Sequence, residues 1–309
     1  MDKDTINNRQ LPFSAAAFTI FLCSAFGANA VAIKISLFNM GVFTTAAVRF
    51  SIAAVSISLW ALATKRPFVI KRGQPKELLI VSVLFTLQLG LLYLGLSKTT
   101  ASRGVLIVNI QPFFVLFLAH HFIPGDQITK KKILGLLLGF SGLALVFLGK
   151  EGVTTEVQYG DLLVLITSFL WACNTVYTKR IINRFDPFQI VLYPMLFSVP
   201  FFFLAGHMWD VKTVAQWNLR LLASLLYQSL VTASFGFVAW NSLLRKYGAV
   251  SLHSFIFIMP VSGVFLGGLV LGEPITFDIL VALGLIVSGI AVVNLKTKGY
   301  TPLFPPRGV

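Results

Sequence analysis

Cysteine is almost missing from this 309-residue sequence. The two present, Cys23 and Cys173, both lie inside apolar runs, which excludes a disulfide framework and a thiolate metal cluster. Charge is scarce as well. Asp, Glu, Lys and Arg make up 12% of residues, where soluble chains carry roughly 25%, so there is too little polar surface for a fold bathed in water. Acids are the rarer sign, eleven against 25 basic residues, and each lies in a tail, a link or the end of an apolar run. No carboxylate is therefore placed mid-span to bind a cation and a proton in turn.

Catalytic patterns are missing too. There is no HExxH, CxxC or GxSxG. The run ALVFLGKE (144–151) ends like a phosphate-binding loop, but it has neither the leading Gly nor the Ser or Thr after Lys150. That excludes transport driven by the chain's own ATP hydrolysis. An enzyme would find no residues to work with, and no cofactor or metal is called for.

Long hydrophobic runs are what the sequence has. Residues are 56% hydrophobic, with a mean hydropathy of +0.83. A run of about 20 apolar residues crosses the ~30 Å hydrocarbon core of a bilayer. Windows bounded by charge, Pro or Gly predict spans at 12–33, 43–63, 77–97, 101–123, 132–149, 159–179, 187–206, 219–243, 248–271 and 277–295. The expectation is an all-α polytopic membrane protein with ten transmembrane helices. Tails at 1–11 and 296–309 flank a first five-helix unit (12–149), a link (150–158) and a second five-helix unit (159–295).

The formal charge of +14 sits in short segments between these runs. That placement reads as a topology signal and anionic-lipid contact, not as a nucleic-acid face. With the N-terminus inside, cytoplasmic segments hold 18 of the 25 basic residues, the opposite side six, and Arg49 lies within a span. Both termini are therefore expected in the cytoplasm of a cell inner membrane.

Ala28-Asn29-Ala30 has the small-x-small form of a secretory cleavage site, but a repeat argues otherwise. Shifted by 145 residues, SAFGANAVAIK (24–34) falls on FLWACNTVYTK (169–179), pairing Asn29 with Asn174 and Lys34 with Lys179. GDQIT (125–129) pairs with GEPIT (272–276), Ser141-Gly142 with Ser288-Gly289, and IQP (110–112) with IMP (258–260). An odd number of spans per copy inverts the second copy in the membrane, the plan of many secondary transporters.

These residues resemble the EamA branch of the drug/metabolite transporter superfamily. The likeness rests on an Asn-bearing first helix, a Pro-broken fourth helix and a G-[DE]-x-[IL]-T link in each copy. It covers about residues 13–295 and is strongest through YGAVSLHSFIFIMPVSGVFLGGLVLGEPIT (247–276). The first copy departs at Pro124-Gly125-Asp126-Gln127, where the family usually has Glu-Pro after the glycine. The resemblance implies ten helices around a central cavity and movement of small organic metabolites, with export the commoner direction.

Polar side chains inside spans go without partners if they face lipid, so they point to protein or a cavity. Gln88, Asn109, Gln111, Gln228 and Thr232 lie near span centres, and Asn29 and Asn174 occupy the inverted positions of the repeat. Trp171, Trp240 and Asn241 flank them, as do Tyr93 and Tyr177. Each is a candidate substrate contact; interhelical hydrogen bonding is the simpler alternative. Pro112 and Pro260 either free carbonyls for a ligand or merely kink their spans. Arg49 either holds an anion or, the simpler expectation, bonds helix-end carbonyls. His253 is the remaining proton-binding candidate. The G135-x-x-x-G139 and G263-x-x-x-G267 patterns suit close packing within the chain, a homodimer being the alternative. Amides and aromatics suit an amino acid or related compound, so a secondary exporter of a small organic metabolite is expected. A multidrug exporter and an importer of a vitamin or other heterocycle are the alternatives.

Overall fold

The structure, a computed structural model, describes residues 12–71, 73–122, 130–148, 154–211, 213–247 and 255–294. The elements are α1 (Phe13–Leu37), α2 (Val42–Ala63), α3 (Pro75–Lys98), α4 (Ala101–Val108), α5 (Gln111–Phe122), α6 (Lys130–Leu148), α7 (Thr155–Ile181) and α8 (Pro187–Trp209). Then follow α9 (Leu219–Leu226), a π-helical stretch (Tyr227–Gly236), α10 (Phe237–Tyr247), α11 (Ile258–Leu271) and α12 (Phe277–Asn294). Among the described residues the only extended pairing is one isolated bridge, Met40 to Val214.

Seven helical stretches are long and apolar enough to cross a membrane among the described residues, with α4–α5 and α9–α10 each counted as one; 132–148, α11 and 277–292 are shorter and apolar. Leu59, Leu62, Leu137, Leu204, Leu269 and Phe277 point outward and exposed. This is a multi-pass membrane protein.

Helix ends follow local chemistry. Asp186 and Gln189 form a reciprocal capping box that starts α8 at Pro187. Gly272, at φ 68°, ends α11 in the left-handed conformation that glycine adopts without a Cβ clash. The fourth predicted span is divided: the chain turns at Asn109-Ile110, and Pro112 is the second residue of α5. Pro260 is the third residue of α11. Both prolines occupy a first helical turn, where the missing N–H has no intrahelical acceptor in any case, rather than kinking a continuous helix.

The halves interlock. α1 packs on α11, and its counterpart α7 packs on α4 and α5; α3 packs on α7, as the π stretch packs on α1. α3 on α8 is matched by the π stretch on α2, while α2 on α8 and α6 on α12 map onto themselves. Exchanging the first half for the second therefore leaves these main pairings unchanged. Glycines allow close crossings: a Cβ on Gly160 would lie 2.8 Å from the Gly95 carbonyl oxygen, and one on Gly289 would lie 2.7 Å from that of Gly135. Gly263 likewise backs onto Gly27, so both glycine patterns are engaged in packing within the chain.

Candidate functional site

The apolar face of α2 around Arg49 is built from Ala46, Ala47, Phe50 and Ala53, all buried. The three alanines let neighbouring helices close over the arginine, which is 2% exposed. Its Nη1 donates to the Tyr93 hydroxyl at 2.9 Å and its Nη2 to Thr232 Oγ1 at 3.1 Å. Arg49 therefore bonds hydroxyls of two other helices, and the expected helix-end carbonyls are not its partners. The Phe50 ring lies 5.0 Å from the guanidinium carbon.

From there a chain of hydrogen bonds runs between the halves. Tyr93 donates to Gln228 Oε1 at 2.9 Å, and Gln228 Nε2 donates to the Ala32 carbonyl at 3.1 Å and to Ser36 Oγ at 2.7 Å. Thr232 Oγ1 lies 3.0 Å from Asn29 Oδ1 and 2.8 Å from the Gln228 carbonyl. Gln228 and Thr232 both belong to the π stretch. Such stretches are rare and frequently occur at functional sites.

A counterpart lies in the matching helices of the other half. Asn174 Nδ2 donates to Gln88 Oε1 at 3.3 Å, and Thr178 donates to Asn174 Oδ1 at 3.3 Å. Thr167 donates to the Gln88 carbonyl at 3.2 Å, and Gln111 Nε2 reaches Thr175 at 3.1 Å. In both clusters the first helix of one half meets the third helix of the other: Asn29 in α1 with the π stretch, Asn174 in α7 with Gln88 in α3. Of the side chains named in the two clusters, the charged one, Arg49, belongs to the first.

Other candidates are less connected. Asn109 donates to the Val105 carbonyl of its own helix and Asn241 to that of Phe237, both four residues earlier. Trp171 is partly buried against the main core, Trp240 stands edge-on to Phe26 with ring centroids 6.0 Å apart, and Tyr177 packs in a separate small cluster with Leu78 and Val81. His253 and the GDQIT link lie outside the described residues.

A profile of the EamA-like transporter family matches residues 13–148 and, a second time, residues 158–295. The chain belongs to the EamA-like transporter family. Relatives of this EamA-like chain include YvbV, an uncharacterized transporter of Bacillus subtilis, 28% identical over 94% of this chain and 95% of that protein. A probable amino-acid metabolite efflux pump of Escherichia coli is 25% identical over 81% of this chain and 84% of that protein. A solved protein crystal structure shares the fold with a TM-score of 0.67 at 19% identity, covering 90% of this chain and 96% of that one.

Beyond the amide clusters, this EamA-like fold ties its halves together near one end. Glu273, in the GEPIT link, accepts from Ala101 N at 2.6 Å, Ser102 N at 2.8 Å and Ser102 Oγ at 2.7 Å, capping α4. Within the first half, Lys34 donates to the Leu96 and Thr99 carbonyls at 3.0 and 2.7 Å, at the C-terminus of α3. Arg103 pairs with the buried Asp161. None of these partners was evident from spacing; the signal available in the sequence was only that charged residues recur at span ends.

Proposed function

We propose that this EamA-like chain is a secondary carrier exporting a small organic metabolite, such as an amino acid or related compound, by alternating access at the seam between its halves. Ten segments would cross a cell inner membrane as two inverted five-span units (12–149 and 159–295), with both termini in the cytoplasm. The observation that carries the reading is the continuous hydrogen-bonded path Asn29–Thr232–Arg49–Tyr93–Gln228, which crosses between the halves at three of its four bonds. Buried polar groups on facing helices of a membrane protein mark substrate pathways, and midplane sites between inverted repeats are the habit of such carriers. The doubled family match and the exchangeable helix pairing support inversion.

Amino-acid cargo is supported by the name of the Escherichia coli relative and by the amide and hydroxyl composition of the path. In the proposed topology the Glu273 and Arg103–Asp161 ties lie at the outer end, so they would hold the carrier closed to the outside and would have to part for release. A cationic drug suits the path poorly, because its one charged member is Arg49. The test is counterflow: purified chain in liposomes preloaded with unlabelled amino acids, challenged with each labelled one in turn. Exchange of at least one amino acid above protein-free liposomes is expected; exchange of none would sink the amino-acid reading.

A further inference from the structure

Among the described residues Arg49 has no counter-charge: no carboxylate pairs with it, although it is 2% exposed. Its partners are two neutral hydroxyls, and its Nε–H is buried without any hydrogen-bond acceptor. A buried cation in that state is costly, and an orphaned buried donor adds to the cost.

Its neighbours do not need it. Without Arg49 the Tyr93 hydroxyl still donates to Gln228, and Thr232 still reaches Asn29 or the Gln228 carbonyl. An arginine serving as interhelical glue satisfies acceptors that would otherwise be stranded, and this one satisfies none. The contrast with Arg103 is sharp: that guanidinium, 7% exposed at its side chain, is neutralised by Asp161 and also bonds the Val146 carbonyl. The chain thus neutralises one buried arginine and leaves the other with spare donors at the seam.

We propose that Arg49 is the anion-binding residue of the carrier, receiving the carboxylate of the transported compound. The free Nε–H supplies one arm of a side-on fork, and Nη2, which has a second hydrogen beyond its bond to Thr232, supplies the other. Phe50 and Tyr93, with ring centroids 5.0 and 6.0 Å from the guanidinium carbon, hold the fork in place. Asn29, only partly buried, stands at the edge of the cluster with its Oδ1 tied to Thr232. The inverted cluster at Gln88 and Asn174 consists of neutral groups, so the carboxylate end of the substrate has one home and its orientation in the seam is set. The inference rests on the carrier reading above and narrows its cargo to compounds bearing a carboxylate.

Thermal unfolding of the purified full chain tests it, with sodium propionate as probe against sodium chloride at equal ionic strength. Propionate at saturation is expected to raise the wild-type melting temperature by about 2–4 °C. Arg49→Met should lose that shift yet, without propionate, melt no lower than wild type, because the change removes a buried charge and strands no partner. Arg49→Lys, keeping the charge without the fork, should need about tenfold more propionate. Three results overturn the proposal: no propionate shift in wild type, an equal shift in Arg49→Met, or an Arg49→Met protein that melts markedly lower or fails to fold. Counterflow separates this outcome from the fate of the carrier reading. Amino-acid exchange unchanged in Arg49→Met removes the site and keeps the carrier; an Arg49-dependent propionate shift without any amino-acid exchange does the reverse.

Discussion

Arg103 of α4 and Asp161 of α7 form an ion pair between the two halves, with the aspartate side chain fully buried. Thr99 donates to the other carboxylate oxygen at 2.5 Å, and Arg103 also bonds the Val146 carbonyl, so α3, α4, α6 and α7 converge on one pair. A buried pair of this kind is weak evidence for stability, since two charges have been desolvated to make it; breaking it one-sidedly is another matter.

We therefore predict a large asymmetry. Asp161→Ala leaves a buried guanidinium uncompensated and should cost about 3–5 kcal/mol. The double change Arg103→Met with Asp161→Leu should cost distinctly less, because no charge is stranded. Unfolding of the detergent-purified variants measures both. A double variant as unstable as Asp161→Ala would show that packing around Asp161, and not its charge, holds these helices.

The Glu273 cap should behave differently. Glu273→Ala removes an acceptor from the first N–H groups of α4, a loss of about 1 kcal/mol by analogy with other N-caps. If this contact also holds one end of the carrier shut, the variant should expose that end. Ser102→Cys, introduced with and without Glu273→Ala, should react faster with a membrane-impermeant maleimide in the double variant. Equal labelling rates would reduce Glu273 to a simple helix cap.

Much of the architecture was legible because it depends on counting. Apolar runs of membrane length and a motif repeated at a near-constant offset are properties of the chain itself, and the repeat-related pair Asn29 and Asn174 followed from them. Partners were harder to read, because they depend on how helices rotate against one another. Asn109 and Asn241 have the same composition and setting as Asn29 and Asn174, yet each bonds its own helix four residues back. Asp161 looked like an ordinary helix-end acid, six residues past the start of α7. The π-helical register of Tyr227–Gly236 has no residue signature; it shows only in the backbone, where it carries Gln228 and Thr232. Lys34, read as the end of the first span, lies inside α1, which runs on to Leu37 while the ammonium caps α3.

Glycine packing gives a prediction with an internal control. A methyl at Gly160 would meet the Gly95 carbonyl at 2.8 Å and Thr99 N at 2.8 Å, both backbone atoms that cannot step aside. Gly160→Ala should destabilise by about 1–3 kcal/mol, as overpacking does elsewhere. A methyl added at Gly284 in α12 would meet nothing within 4 Å, so Gly284→Ala should be neutral or slightly stabilising, since alanine favours helix. A comparable loss at both positions, read from melting curves, would contradict the close α3–α7 crossing.

The proposed inverted arrangement predicts where single cysteines can be labelled. With both termini inside, Gly152→Cys, between α6 and α7, should react with an impermeant maleimide added to intact cells. Lys71→Cys, between α2 and α3, should react only after the membrane is opened. Labelling of both from the same side would leave the two halves parallel, and the matched helix pairing would then need another cause.

The neutral cluster supplies the last prediction. Asn174 and Gln88 share a hydrogen bond of 3.3 Å, at the long end of the useful range, and Asn174 is 8% exposed. Such a contact adds little to stability; interhelical side-chain bonds in membranes average about 0.6 kcal/mol. If these amides serve only as glue, Asn174→Ala should shift the melting temperature slightly and leave exchange intact. If they line the transport path, as proposed, Asn174→Ala and Asn29→Ala should each lower counterflow by about tenfold, the equivalent of losing one good polar contact, with insertion and melting temperature nearly unchanged. Exchange and stability therefore have to be measured on the same preparations. Normal exchange in the Asn29→Ala, Asn174→Ala double variant would remove both amides from the path, whatever its stability.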